Sequence, residues 1–282
     1  MAVAAKDVQE LRARTNVGMM DCKKALEEAD GDMDKAIELL RTRGIAKAEG
    51  RSGRVAKEGV IASFVTADGR TGVLLEVNSE TDFVARTAEF QDFVNATTQH
   101  LATASADSVE DLLGQAHASG KSVQDMLSEL IAQCGENVTV RRFDRYDLEA
   151  DGLVATYIHT GSKLGVMVEL TGPVSEAVPS FAKDVSMHIA ASAPVAVSRE
   201  DVDQVRVERE RGIFKEQALG EGKPEKVIDR IVEGRIEKYF QEVCLLEQPF
   251  VKDPDRTVKG MVADLEGVQI RRFVRFVLGE ES

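Results

Sequence analysis

Gly59-Val-Ile-Ala-Ser-Phe64-Val-Thr66 is the stretch on which the fold depends, because a similar stretch, Gly152-Leu-Val-Ala-Thr-Tyr157-Ile-His159, follows 93 positions later. The next apolar run, Gly72-Val-Leu-Leu-Glu76-Val77, is repeated at the same offset as Gly165-Val-Met-Val-Glu169-Leu170. Each copy has two β-prone runs joined by a short polar turn that contains glycine, which is typical of a β-hairpin. The sequence therefore predicts an internal duplication built on two hairpins.

A third β-prone run follows each predicted hairpin. Val138-Thr-Val-Arg-Arg-Phe143 resembles Val268-Gln-Ile-Arg-Arg-Phe273, which lies 130 positions later, and helical patterns at 88–105 and 180–192 precede these runs. Such an order of elements is typical of helices packed on one face of an antiparallel sheet. We predict an α+β fold with two related core subdomains, each with a three-stranded antiparallel sheet plus helices.

The second copy contains an insertion. The offset between the copies grows from 93 to 130 positions, and the 37 extra residues fall at about 198–243. Apolar residues recur there at helical spacing on both sides of the turn Gly220-Glu-Gly222-Lys-Pro224. Ser198 and Asp201 have the spacing of a capping box, so we predict an antiparallel helical hairpin that begins at Ser198.

The N-terminal residues have the pattern of a small helical bundle. Three stripes of apolar residues at helical spacing are separated by breaks at Asn16-Val17-Gly18 and Asp30-Gly31-Asp32. The third stripe ends before Gly44, so we expect the third helix to end there. Three short helices in so small a segment are similar to a ubiquitin-associated (UBA) domain, which is usually an interaction module.

Glycines and basic residues interrupt the helical pattern after this bundle. The cations of this stretch are Lys47, Arg51, Arg54 and Lys57. We interpret the stretch as a linker or hinge, with a basic contact surface as the alternative. The predicted domains are a UBA-like three-helix domain at 1–46, a linker at 47–58, a first core subdomain at 59–146 and a second core subdomain at 147–282.

Composition limits the classes of function. The 282 residues include 49 Asp and Glu against 36 Lys and Arg, a net charge of −13 that argues against general affinity for nucleic acid or anionic membranes. No apolar stretch approaches the roughly 20 residues of a membrane span, and a secretory signal pattern is lacking. Cys22, Cys134 and Cys244 lie far apart, as expected for reduced thiols. We expect a cytoplasmic protein that binds neither nucleic acid nor membrane directly.

Sequence motifs for catalysis or cofactor binding are not found. Gly120-Lys121-Ser122 has the ending of a phosphate-binding loop, but Gln115 stands where such a loop needs its first glycine. The four histidines are scattered, and no metal-ligand spacing occurs. The sequence therefore predicts no catalytic residue, no cofactor and no metal ligand, and it favours a protein that acts by binding a partner protein.

One connection differs strongly between the two copies. After its second strand the first copy has Asn78-Ser79-Glu80-Thr81-Asp82-Phe83-Val84-Ala85-Arg86, whereas the second has Thr171-Gly-Pro-Val-Ser-Glu-Ala177. Thr81 or Asp82 is suited to cap a following helix. Two roles are open for Phe83: packing in the core, which is the usual fate of a single Phe, or projection towards a partner.

Two long motifs resemble the elongation factor Ts family of bacterial translation factors. One is Val77-Asn-Ser-Glu-Thr-Asp-Phe-Val-Ala-Arg86, and the other is Leu11-Arg-Ala-Arg-Thr15-Asn-Val-Gly-Met-Met-Asp-Cys-Lys-Lys-Ala-Leu26. The resemblance covers essentially the whole chain. Shorter matches are His188-Ile-Ala-Ala-Ser192, Gly222-Lys-Pro224, Val232-Glu-Gly-Arg235 and Gln248-Pro-Phe-Val251. The resemblance to this family implies a UBA-like domain, a core of two related subdomains and a helical hairpin inserted in the second subdomain.

The resemblance implies guanine-nucleotide exchange on elongation factor Tu, the GTPase that delivers aminoacyl-tRNA. In the family, one segment of the exchange factor lies beside the magnesium site of that GTPase. The resemblance implies that this segment corresponds to Thr81, Asp82, Phe83 and Val84. Phe83 is implied to be an apolar wedge between two helices of the partner. Asp82 is implied to rearrange the surroundings of the magnesium ion, which this chain does not hold.

The resemblance implies further contacts with the GTPase. The implied residues are Arg12, Met19 and Met20, which dock the N-terminal module, and His159 and Gly135, which contact a second face. Some family members continue past the last strand into a further helix that touches the partner. This sequence ends at Leu278-Gly-Glu-Glu-Ser282.

Two other functions fit parts of the sequence. The UBA-like pattern at Val17-Gly18-Met19 is compatible with an adaptor that binds a ubiquitin-like or peptide partner without exchange activity. The basic residues between Lys47 and Lys57 are compatible with ribosome or RNA binding, which the acidic total charge disfavours.

Overall fold

The computed structural model describes residues 3–15, 17–51 and 53–280. The N-terminal helices are α1 (Ala5–Thr15), α2 (Met19–Glu28) and α3 (Met33–Glu49). The first half of the core contains β1 (Glu58–Val65), β2 (Thr71–Ser79), α4 (Asp82–Ala85), α5 (Ala88–Thr103), α6 (Val109–Gly114), α7 (Val123–Cys134) and β3 (Val138–Asp147). The second half contains β4 (Gly152–Ile158), β5 (Leu164–Thr171), α8 (Ala177–Ser192), α9 (Gln204–Gly220), α10 (Glu225–Val243), β6 (Pro249–Phe250), β7 (Asp253–Thr257), α11 (Val258–Val262) and β8 (Gln269–Val277). Within these ranges, none of the helices combines the length and the apolar character that crossing a membrane requires.

The three N-terminal helices form a bundle around one apolar cluster, in which Leu11 and Leu26 have no exposed surface. The third helix runs to Glu49, so the prediction that it ends before Gly44 was wrong. Gly44 lies within the helix and lets α3 approach α7, since a Cβ there would be 3.3 Å from the Cβ of Ala132. The glycine therefore serves close helix packing and does not end the helix.

Each half of the core contains the predicted three-stranded antiparallel sheet. The strand order is β1-β2-β3 in the first half and β4-β5-β8 in the second. Helix α5 packs against β1 and β2, and α8 packs against β4 and β5. The two halves have separate apolar cores, around Phe90 and Leu101 in the first and around Leu170 and Ile189 in the second. The predicted α+β class is confirmed.

The duplication extends to buried charges. A β-bulge follows Glu76 in β2 and Glu169 in β5, and both glutamates are fully buried. Arg142 Nε donates to Glu76 Oε2 at 2.7 Å, and Arg272 Nε donates to Glu169 Oε2 at 2.6 Å. Because a buried carboxylate is costly without such a partner, the repeated glutamates and arginines are one structural device used twice.

The two sheets pack against each other through equivalent residues. Their shared apolar cluster contains the equivalent pairs Ile61 and Val154, Leu74 and Met167, and Tyr146 and Phe276. The guanidinium of Arg142 lies 4.2 Å from the ring centroid of Phe276, and that of Arg272 lies 4.0 Å from the ring centroid of Tyr146. Each half thus presents the same surface to the other, as the subunits of a twofold symmetric dimer do.

Helices α9 and α10 form the predicted antiparallel hairpin with its own apolar cluster. The predicted start of the hairpin at Ser198 lies just before its first α-helix. Ser198 and Asp201 do form a capping box, but the box encloses a single 3-10 turn at Arg199–Asp201. Val202 then turns into the apolar cluster, and α9 begins at Gln204, capped by Asp203.

Candidate partner-binding site

The turn after β2 presents Phe83 to solvent. Helix α4 begins at Asp82 and is capped by Thr81, whose Oγ1 accepts a hydrogen bond from the backbone N–H of Val84 at 3.4 Å. Val84 and Ala85 are buried in the first core, whereas the side chain of Phe83 is 78% exposed. Of the two roles left open for Phe83, packing in the core is therefore wrong, and the ring projects outward.

The loop between α7 and β3 holds this turn in place. Glu136 accepts two hydrogen bonds from Thr81, one from the backbone N–H to Oε2 at 2.9 Å and one from Oγ1 to Oε1 at 2.7 Å. In the opposite direction, Glu80 Oε1 accepts the backbone N–H of Asn137 at 2.7 Å. Gly135 ends α7 in the left-handed conformation, with φ 78°, and so directs the chain towards the turn. The turn and the loop thus hold each other by reciprocal carboxylate contacts.

Asp82 lies next to Phe83 on the exposed side of the turn. Its Oδ2 accepts a hydrogen bond from Arg86 Nη2 at 2.7 Å, and the two side chains are 40% and 76% exposed. An exposed pair of this spacing contributes only about 0.3–0.5 kcal/mol, so Asp82 can exchange Arg86 for another partner at little cost. The turn therefore offers an apolar ring and an available carboxylate side by side.

The N-terminal module exposes the residues predicted to dock it. Met19 and Met20 begin α2 with 48% and 64% of their surface exposed, and Arg12 on α1 is also exposed. Methionine adapts its shape to a partner surface because its side chain is unbranched. Cys22, in the same helix, is fully buried, and burial raises the pKa of its thiol. A raised pKa disfavours the thiolate, which is the reactive form of cysteine.

Helix α7 fixes the N-terminal module to the first core subdomain. Arg41 of α3 forms an ion pair with Asp125 in the first turn of α7, and this hydrogen bond holds the pKa of the carboxyl below its usual range. Gln133 Nε2, near the other end of α7, donates to the carbonyl oxygen of Thr15 at 3.1 Å. Helix α7 therefore contacts the N-terminal module along its side. At its C-terminal end, the same helix leads into the loop that holds the Phe83 turn.

Two cations of the predicted linker make contacts within the chain. Arg51 Nη1 donates to the carbonyl oxygen of Ile131 at 2.9 Å, and Arg54 Nη1 lies 3.5 Å from Glu80 Oε1. These contacts disfavour the interpretation of the stretch as a free basic surface. The side chain of Lys47 lies outside the described residues.

His159 and Gly135, which the resemblance assigns to one face, lie in different subdomains. Gly135 is next to Glu136 and therefore adjoins the Phe83 turn. His159 is exposed at the end of β4 in the second subdomain. The turn after it reaches the first subdomain, because the backbone N–H of Ile61 donates to the carbonyl oxygen of Ser162 at 2.7 Å.

Glu80 and Glu136 are functional residues that were not predicted from the sequence. No local pattern connects a side chain with a backbone group more than fifty residues away. An antiparallel pairing of the second and third predicted strands would have indicated the contact, because in the structure Ser79 at the end of β2 pairs with Val138 at the start of β3. Residues just after the one strand and just before the other must therefore meet at this edge of the sheet.

Known proteins resemble this chain over almost its whole length. A family model described as "Elongation factor TS" matches residues 80–280, a range that begins at the Phe83 turn. Elongation factor Ts of Halothermothrix orenii is 46% identical over 282 residues, which cover 99% of this chain and 93% of that protein. For elongation factor Ts of Clostridium perfringens strain SM101 the identity is 47% over 284 residues, with 99% and 93% covered. The chain belongs to the elongation factor Ts family.

Membership of the elongation factor Ts family identifies a translation elongation factor and confirms the resemblance seen in the sequence. The alignments also include the N-terminal module, which precedes the range of the family model. Elongation factor Ts of Trichlorobacter lovleyi, for example, is 45% identical over 293 residues, with 99% of this chain and 94% of that protein covered.

Proposed function

We propose that this chain is a guanine-nucleotide exchange factor that acts in the cytoplasm on elongation factor Tu. It binds the GDP-bound GTPase, displaces the magnesium ion of that protein and promotes release of GDP. The observation that carries the proposal is the 78% exposure of Phe83 on a turn whose next two residues are buried. A large aromatic side chain held outside the core on a fixed turn is typical of an interface anchor. Membership of the elongation factor Ts family supports elongation factor Tu as the partner.

Nucleotide exchange of this kind needs no acid, base or nucleophile. An exchange protein binds the nucleotide-free GTPase more tightly than the GDP-bound form. By thermodynamic linkage, it lowers the affinity of the GTPase for GDP by the same ratio. A difference of about 4 kcal/mol between the two forms corresponds to roughly a thousandfold loss of GDP affinity. In this proposal the chain supplies binding free energy and catalyses no chemical reaction.

The residues of the turn have separate roles in this proposal. Phe83 enters an apolar space between two helices of the GTPase, where burial of an aromatic side chain contributes about 1.5–3 kcal/mol. Asp82 leaves Arg86 and acts on the surroundings of the magnesium ion, which the GTPase holds. Thr81 keeps the turn in shape through its cap, and Val84 anchors it through its buried side chain.

Residues outside the turn extend the contact. Arg12, Met19 and Met20 dock the N-terminal module on the GTPase domain, and His159 and Gly135 contribute further contacts. The attachment of the module to α7 supports this arrangement, because two binding regions that are already fixed relative to each other lose less conformational entropy on binding.

Release of fluorescently labelled GDP from purified elongation factor Tu tests the proposal. In excess unlabelled GDP, saturating chain should accelerate release by at least a hundredfold. Removal of magnesium from the GTPase with a chelator should speed release on its own and reduce the further acceleration by the chain. Release that stays at its intrinsic rate at every concentration of the chain would contradict the proposed function.

An adaptor without exchange activity is the second candidate, and the exposure of Met19 and Met20 is the observation that favours it. The two functions respond differently to replacement of both methionines by alanine. An exchange factor keeps part of its binding through the core subdomains, whereas an adaptor loses all of it. Titration of the partner by isothermal calorimetry distinguishes the two results.

A further inference from the structure

We propose that Glu136 is a positioning residue, which holds the turn of residues 80–84 in the conformation that presents Phe83. The inference rests on the proposed function in one respect, since Phe83 is the group presented. The contacts between Glu136 and Thr81 are present whether or not that function is correct. Glu136 does not need to touch the partner and acts through Thr81.

The turn needs a restraint from outside its own sequence. Helix α4 has four residues, far fewer than the roughly 12–15 that an isolated helix needs to be marginally stable in water. Burial of Val84 and Ala85 fixes the C-terminal side of the turn. Phe83 contributes little to its own position because its ring is mostly exposed. The N-terminal side must therefore be fixed by polar contacts.

Glu136 supplies two of the polar contacts on that side, and Ser79 Oγ donates a third, to the carbonyl oxygen of Thr81 at 2.8 Å. The two oxygens of Glu136 take the backbone N–H and the hydroxyl of Thr81, at 2.9 Å and 2.7 Å, so the carboxylate fixes both the backbone and the rotamer of the capping residue. The contact from Glu80 to the N–H of Asn137, at 2.7 Å, returns from the turn to the loop. Hydrogen bonds to a carboxylate are about twice as strong as those between neutral groups.

The duplication provides a natural control for this residue. Glu266 occupies the position in the second copy that Glu136 occupies in the first, 130 positions earlier. Position 174, which is equivalent to Thr81, is Val, and therefore offers no hydroxyl. The side chain of Glu266 is exposed. Replacement of Glu266 therefore removes the same carboxylate from the same place in the fold, without affecting the turn that carries Phe83.

Fluorescence anisotropy measures the order of the turn directly. The chain contains no Trp, so a Phe83→Trp variant has a single indole at the position of interest. In this background Glu136→Ala should lower the steady-state anisotropy of the indole by about a quarter or more, because the turn gains backbone freedom. Glu136→Gln should keep most of it, since the amide can still accept the N–H of Thr81 and donate to its hydroxyl oxygen. Glu266→Ala should leave the anisotropy unchanged.

Exchange measurements then connect position with function. With Phe83 in place, Glu136→Ala should slow GDP release at saturating factor by about five- to tenfold, while Glu136→Gln stays within about twofold. If Glu136→Ala does not fold, Thr81→Val removes the hydroxyl from the same contact and should also lower the anisotropy. Unchanged anisotropy in Glu136→Ala, or in Thr81→Val where Glu136→Ala does not fold, would overturn the positioning role. Failure of the parent chain to release GDP would instead reject the proposed function.

Discussion

The two halves of the core share a framework but differ in the connection from their second strand to the next helix. In the first half, Thr81 caps α4 and is held by Glu136, and Phe83 projects from the turn. In the second half, α8 begins after Glu176 without a side-chain cap, and Val174 is half-exposed. The connection of the second half therefore lacks the side-chain cap that the first half has.

Glycine explains how the second connection is held. Gly172 has φ 116°, and a Cβ at this position would clash with the carbonyl oxygen of Gly267. The backbones of the two connected loops are thus in direct contact where the first half uses the side chains of Glu80 and Glu136. A duplicated scaffold can keep its stable frame in both copies and place a binding feature on one loop.

The largest expected effect tests whether the buried glutamates stabilise the two halves of the core to the same extent. Glu76→Ala and Glu169→Ala should each lower the free energy of unfolding by about 2–4 kcal/mol, because each removes more than one charge-assisted hydrogen bond. Urea denaturation measures both. Glu149→Ala is the control, since its side chain is 82% exposed, and it should change the free energy by less than about 0.5 kcal/mol. A near-neutral result for only one of the buried glutamates would show that the halves do not share this device.

A smaller effect tests whether only the first connection depends on side chains. Thr81→Ala removes the cap of α4 and one contact to Glu136, and should cost about 1–2 kcal/mol in the free energy of unfolding. Ser175→Ala, in the second connection, should be neutral, because α8 has no side-chain cap. Equal losses in thermal or urea unfolding would contradict the proposed difference.

The smallest effect concerns a buried histidine of the second half. His188 is fully buried, with Nδ1 accepting the backbone N–H of Val251 and Nε2 paired with Gln248, and burial lowers its pKa below 6.5. The unfolded chain therefore binds a proton more readily than the folded chain. The contribution of His188 to stability is complete above pH 6.5 and declines as the pH falls through the folded-state value.

Unfolding experiments between pH 7.5 and 5 measure this dependence. The free energy of unfolding of the parent should fall more steeply towards low pH than that of His188→Gln, which cannot take up the proton. His100→Gln in the first half, where the histidine is partly exposed, is the matched control. Parallel curves for parent and His188→Gln would contradict the role given to burial.

The two related sheets could be predicted because similar stretches of sequence occur twice along the chain. The repeated apolar runs predicted the strands, whereas the pairing of Glu76 with Arg142 and of Glu169 with Arg272 was seen only in the structure. Contacts between distant segments leave no such local signal. The end of α3 was missed because Gly44 faces α7, and the direction of Phe83 was open because it depends on Glu136. Ser198 showed the limit of a motif, since a capping box can enclose a single 3-10 turn.

Phe83→Ala provides the most direct test of the central claim, that an exposed ring on the first connection acts on a GTPase. GDP release from elongation factor Tu and urea unfolding should be measured on the same preparation. Release should slow by more than tenfold, while the free energy of unfolding stays within about 0.5 kcal/mol of the parent, because the ring is mostly exposed. Loss of stability with unchanged release per folded molecule would contradict the account.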